Sequence, residues 1–91
     1  MIFEKEMAIE RHEFGRTLRR ALSEADISED GDTIMVREGS GTLEITLSSR
    51  PERRIGLLAL PVLAARFHYS GYDDPAEHLA RLDISFQRGG G

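Results

Sequence analysis

The sequence predicts an α+β domain. The expected architecture is an antiparallel meander of four to five strands with two helices packed on one face, in the order β-α-β-β-β-β-α. Three observations carry this reading. Apolar and polar residues alternate with a period of two through much of Thr33–Tyr69. They recur at the helical period around Phe14–Ala25 and Leu79–Phe86. The two helical stripes match, and each needs an apolar sheet face to cover it.

Ile2–Ile9 reads two ways. Phe3, Met7 and Ile9 share strand parity, yet Phe3 and Met7 also continue the stripe of the following helix. A short strand is preferred because it places Ile9 inside. From Arg11 to Ala25 the stripe Phe14, Leu18, Ala21, Leu22, Ala25 predicts a helix, with His12, Arg16 and Arg19 on the solvent side. Glu13–Arg16 and Arg20–Glu24 have the spacing of helix-surface ion pairs. Gly15 weakens this helix by about 1 kcal/mol relative to Ala. Asp26–Asp32, ending in Asp30-Gly31-Asp32, reads as a loop.

Thr33–Arg37 and Thr42–Ser48 form a hairpin about Gly39-Ser40-Gly41, where glycine gives the backbone its freedom. Leu43, Ile45 and Leu47 point inward; Thr42, Glu44, Thr46 and Ser48 point to water. Ser49–Glu52 reads as a turn. Arg54–Leu60 reads as a strand apolar on both faces, and Leu63–Tyr69 as a half-exposed strand. Pro61 between them marks an edge, bulge or corner. Ser70-Gly71-Tyr72 turns the chain. Asp73 or Asp74 before Pro75 starts the second helix, which carries Leu79, Leu82 and Phe86 to about Gln87. The expected core is Phe14, Leu18, Leu22, Leu43, Ile45, Leu47, Phe67, Leu79 and Leu82. Residues 1–88 form one domain and 89–91 a flexible glycine tail.

Ninety-one residues with 40% apolar and 31% charged side chains suit a single folded domain rather than a disordered chain. The net charge of −4 argues against a general nucleic-acid binder, which needs surplus positive charge. The absence of cysteine excludes disulfides, thiolate metal sites and cysteine nucleophiles. The apolar run Ile55–Ala65 is too short to span a bilayer, and the charged N-terminus is unlike a signal peptide. A cytoplasmic protein of bacterial type, without membrane association, is the expectation. Eleven of the twelve basic residues are Arg, in keeping with a GC-rich coding bias.

No pattern converges on a reaction. Asp74 and His78, four apart on a predicted helix, have the spacing of two metal ligands, and His68 offers a third; without Cys or HExxH this is a weak pattern, and neither metal nor cofactor is expected. Asp73-Asp74 has a structural task as a helix cap. No serine has a nucleophile setting, and Gly39-Ser40-Gly41 joins two strands rather than opening a helix onto a phosphate. Arg16, Arg19, Arg20 and Arg50, Arg53, Arg54 form two basic clusters, a candidate anion or nucleic-acid surface if the first helix passes near the second cluster. The closing Gly90-Gly91 resembles the tail of the ubiquitin-like sulfur carriers. That resemblance implies activation of the terminal carboxylate as an acyl adenylate and then a thiocarboxylate, on a tail leaving a strand. The Gly31-Asp32 pair lies far from the tail, unlike that family's Gly-Asp turn.

The leading expectation is therefore a non-catalytic binding, accessory or assembly protein. Seven of the nine residues Ile55–Leu63 are apolar. If helices cover one sheet face only, Leu58, Leu60 and Val62 lie in water and form a contact with a protein partner, most simply a second copy. A Gly-Gly carrier or small metal-dependent enzyme is the alternative, and an anion or nucleic-acid binder the third.

Overall fold

In the computed structural model, which describes residues 1–89, the chain runs β1 (Ile2–Met7), α1 (Arg11–Ala21), β2 (Asp26–Asp30), β3 (Thr33–Glu38), β4 (Gly41–Ile55), β5 (Leu58–Ser70) and α2 (Pro75–Gly89). The five strands form one antiparallel sheet in the order β1-β5-β4-β3-β2. The predicted α+β class and element order hold. β2 to β5 are a meander, and β1 closes the far edge against β5.

All three hairpins use one device. Two residues separate Asp30 from Thr33, Glu38 from Gly41 and Ile55 from Leu58. The first residue of each pair is a glycine at positive φ: Gly31 at 61°, Gly39 at 56° and Gly56 at 62°. A glycine there lets the turn twist with its flanking strands. Gly71 carries a further constraint. At φ 75° a Cβ would stand 2.5 Å from the Ser40 carbonyl oxygen, so the crossing into α2 passes too close to the β3–β4 turn for any side chain.

Several boundaries differ from the sequence reading. Asp26–Asp30 is an edge strand rather than a loop, because one half-buried residue, Ile27, packed on the core suffices for a strand paired along one side only. Ser49–Glu52 is not a turn. β4 continues through it with a bulge between Arg50 and Arg53 that absorbs Pro51. Arg54–Leu60 is not a strand, because Gly56-Leu57 reverses the chain inside it. Pro61 lies within the continuous strand β5. The first helix stops at Ala21, which takes Glu24 off the helix and away from Arg20, while the Glu13–Arg16 pair forms at 2.6 Å. α2 runs to Gly89, two residues past the expected end; the remaining tail, Gly90 and Gly91, lies outside the described residues.

Both helices lie on one face of the sheet. Phe14 and Leu18 of α1 and Leu79, Leu82 and Phe86 of α2 join Ile34, Val36, Leu43, Ile45, Leu47, Leu63, Ala65, Phe67 and Tyr69 in a single core. Ile9 is inside, as the strand reading of the N-terminus requires, while Leu22 is only partly buried. Phe14 sits at the centre, stacked on Phe86 at 4.7 Å and tilted against Phe67 at 6.3 Å. A half-buried Lys5–Asp83 ion pair joins α2 to β1. Asp74 caps α2: its carboxylate accepts the Glu77 N–H at 3.1 Å.

Gly15 is buried in α1, yet a Cβ there meets only the ends of Arg11 and Glu29, at 3.5 and 3.8 Å. Those flexible termini leave room for a methyl. Gly15→Ala is therefore expected to stabilise the protein by about 0.5–1 kcal/mol through helix propensity, read as a higher urea midpoint.

Candidate functional site

Two places stand out: a partly buried polar chain at one end of the sheet and an arm at the other. The polar chain begins at Tyr69, on the inward face of β5 and 2% exposed. Its hydroxyl lies 2.9 Å from His78 Nδ1, and His78 Nε2 lies 2.8 Å from Glu38 Oε1. The Tyr72 hydroxyl donates to the same oxygen at 2.8 Å. A neutral imidazole with its proton on Nε2 satisfies every member: Tyr69 donates to Nδ1, and Nε2–H donates to Glu38. The three rings meet edge to face, with centroids 4.8–5.3 Å apart. Gly41 makes room for this, since a Cβ there would stand 2.7 Å from the Tyr72 ring.

The chain resembles an acid–base relay, but its tyrosines are held protonated. Burial first, and the neighbouring Glu38 carboxylate second, push both hydroxyls well above the ordinary tyrosine range. What the geometry does is clamp α2 and the Tyr72 loop to the end of β3. The sign of the pH dependence follows. A folded-state pKa raised above the unfolded value near 10 leaves the stabilisation whole below pH 10 and removes it above. Stability is expected to fall from about pH 10 upward, by up to about 1.4 kcal/mol per pH unit for each tyrosine. Tyr72→Phe should shallow that slope in urea titrations run from pH 9 to 11; an unchanged slope would contradict the assignment.

The clamp disperses the candidate metal ligands. His78 faces the core side, His68 lies on the outward parity of β5, and the Asp74 carboxylate is engaged as a cap. Among the described residues no three His, Asp or Glu side chains gather into a metal-holding group. The polar chain itself had a sequence signal. His78 lies on the Leu82–Phe86 stripe, and Tyr69 lies on the inward parity of Phe67. Two polar groups on buried faces need partners, and here they find each other.

The arm is the outer part of the β4–β5 hairpin. β3 ends its pairing with β4 at Thr46, and β1 ends its pairing with β5 at Leu63. The two central strands continue alone through Ser49–Val62, which helps stretch the molecule to 46 × 24 × 20 Å. Leu57 at the tip is 106% exposed, Leu58 64% and Ile55 58%. Leu58, Leu60 and Val62 share the outward parity of β5, away from the helices, as expected. Ile55 pairs directly with Leu58, so it joins that face. Leu60 and Val62 are half-buried, flanked across a small cleft by Glu6, Met7 and Ala8.

The arm's edges are poor templates for strand addition. The Tyr69 N–H donates to the Met1 carbonyl, so the backbone groups of Tyr69 point toward β1. Alternation then turns Pro61 to the same side, beyond the end of β1, where it offers no donor. On the other side the bulge with Pro51 breaks the edge of β4. Recognition by the arm therefore rests on side chains.

The two arginine clusters stay apart. Arg16 pairs with Glu13, and Arg19 with Glu29, which Arg11 also binds; these hydrogen bonds, from Arg19 first and Arg11 second, hold the Glu29 carboxyl below its usual range. Arg20 is exposed near the end of α1. Arg50, Arg53 and Arg54 are exposed on the arm, where Arg50 faces Glu6 at 3.6 Å. No ion pair or cavity among the described residues joins the clusters, because α1 covers the inner sheet face while Arg50 and Arg53 lie on the outer one. No helix among the described residues is long and apolar enough to cross a membrane. No protein-family model matches the chain, and no curated protein matches it by sequence.

Proposed function

We propose that this protein is a non-catalytic binding or assembly component that works in the cytoplasm through protein–protein contact, with the β4–β5 arm as the contact element and a second copy as the simplest partner. One observation carries the reading: Ile55, Leu57 and Leu58 stand in water on a projection that the core does not need. Burying a Leu contributes roughly 1.5–3 kcal/mol, so leaving such residues exposed on a small domain has a cost that association removes. Among the described residues no segment covers Ile55, Leu57 or Leu58. The Gly-Gly carrier reading is less favoured, because the chain enters its tail from α2 rather than from a strand. Sedimentation equilibrium over a range of micromolar concentrations tests the proposal. The expected result is a mass rising toward twice 10.2 kDa; a constant monomer mass removes self-association.

A further inference from the structure

The flank of α1 beside β2 carries a cradle of arginines. Arg11, Gly15 and Arg19 are spaced four apart and stand in one row along the helix, with His12 and Arg16 in the row beside it. Together with Glu29 of β2 they line an open depression of about 240 Å³. Three guanidiniums there face one carboxylate, and positive charge stays in excess when Glu13, the partner of Arg16, is counted. Each guanidinium is only partly used. Arg11 donates from Nη2 to Glu29 and the Gly31 carbonyl, Arg16 from Nη2 to Glu13, and Arg19 from Nη2 to Glu29. Among the described residues Nε and Nη1 of all three have no hydrogen-bond partner.

Gly15 lies between the arginines. Its backbone is ordinary helix, and a Cβ there would meet only the ends of Arg11 and Glu29, at 3.5 and 3.8 Å. Neither conformation nor packing calls for glycine, although it weakens the helix by about 1 kcal/mol. Glycine has a use where a ligand must come close to the backbone. The cradle already holds one anionic group: the Glu29 carboxylate lies across Gly15, with Oε1 on Arg11 and Oε2 on Arg19, each at 2.7 Å.

We propose that this depression binds the phosphoryl group of a small ligand, which takes the place of the Glu29 carboxylate on Arg11 and Arg19 and gains donors from Arg16 and His12. This goes beyond the reading of the arm and does not depend on it. With Glu29 displaced, Arg11 and Arg19 are left unbalanced, and two positive charges suit a dianion. Guanidinium forks match phosphoryl oxygens in pairs, and the imidazole offers a ring N–H in either tautomer. A tetrahedral phosphoryl group is thicker than a planar carboxylate, so it reaches down to the bare backbone at Gly15.

Magnetic-resonance titration of the amide shifts with inorganic phosphate, at about pH 7.5 where it is mostly dianionic, tests this against chloride at matched ionic strength. Saturable shifts confined to Arg11–Arg19 and Glu29, absent with chloride, are expected. Glu29→Gln should bind phosphate about tenfold more tightly, because the competing charge is gone. Arg16→Gln should bind at least about fivefold more weakly; Arg16 is exposed and pairs only with Glu13, so the fold does not need it. Gly15→Ala should also bind about fivefold more weakly while its urea midpoint rises, a split between stability and binding that general damage does not produce. Circular dichroism of each variant establishes that it is folded. Shifts that fail to saturate, or that chloride reproduces, would reduce the cluster to a solvated face and overturn the proposal. Unchanged affinity in Glu29→Gln and Arg16→Gln would overturn it too. So would binding of anionic phospholipid vesicles or short single-stranded RNA at these residues with none of free phosphate.

Discussion

Phe14→Ala is expected to destabilise the domain by about 3–5 kcal/mol, the largest loss from any single truncation in this core. Phe14 is fully buried and is the residue on which α1, α2 and the sheet converge. It stacks on Phe86 and leans on Phe67, so its removal opens one cavity against three elements. A domain of this length has roughly 5–14 kcal/mol of stability in all. The loss is therefore a large fraction of the whole. Urea titration should show a much lower midpoint with little change in slope. Leu57→Ala is the matched comparison: a larger apolar residue is again cut to a methyl, but at a fully exposed tip, and stability should move by less than about 0.5 kcal/mol.

Leu58→Asp/Leu60→Asp is expected to act in the opposite way, sparing the fold and abolishing association. Leu58 is mostly exposed and Leu60 half-buried, and both lie beyond the end of the core. In the dimer each copy desolvates both residues, and a carboxylate there would be buried against apolar atoms. A loss of at least about 3 kcal/mol, or roughly 100-fold in Kd, follows from the transfer values of the leucines alone.

Much of the fold was legible because burial acts through periodicity. Leu43, Ile45 and Leu47 alternate cleanly, and the Phe14 and Leu79 stripes each mark one helix face. The helix start at Asp74-Pro75 was legible because capping is local chemistry. Legibility failed where apolar residues do not report burial. Ile55–Leu63 is nearly all apolar yet mostly exposed, so composition hid the Gly56-Leu57 turn at its heart. The signal was the Gly-X pair itself, since Gly31-Asp32 and Gly39-Ser40 close the other hairpins with the same backbone. β2 failed for the converse reason: an edge strand needs one inward apolar residue, and an acidic stretch with Ile27 looks like a loop. The outward face of Leu58, Leu60 and Val62 was legible from parity alone. The polar chain was legible only in part: His78 and Tyr69 stand on inward-facing positions, but their meeting with each other and with Glu38 joins residues distant in sequence.

The central claim is that the exposed face of the arm joins two copies of the chain. Sedimentation velocity of wild type beside Leu58→Asp/Leu60→Asp, at matched micromolar concentrations and with matching circular dichroism, tests it most directly. Wild type is expected to be a dimer and the variant a folded monomer. A folded monomer in both samples, or a dimer in both, would contradict it.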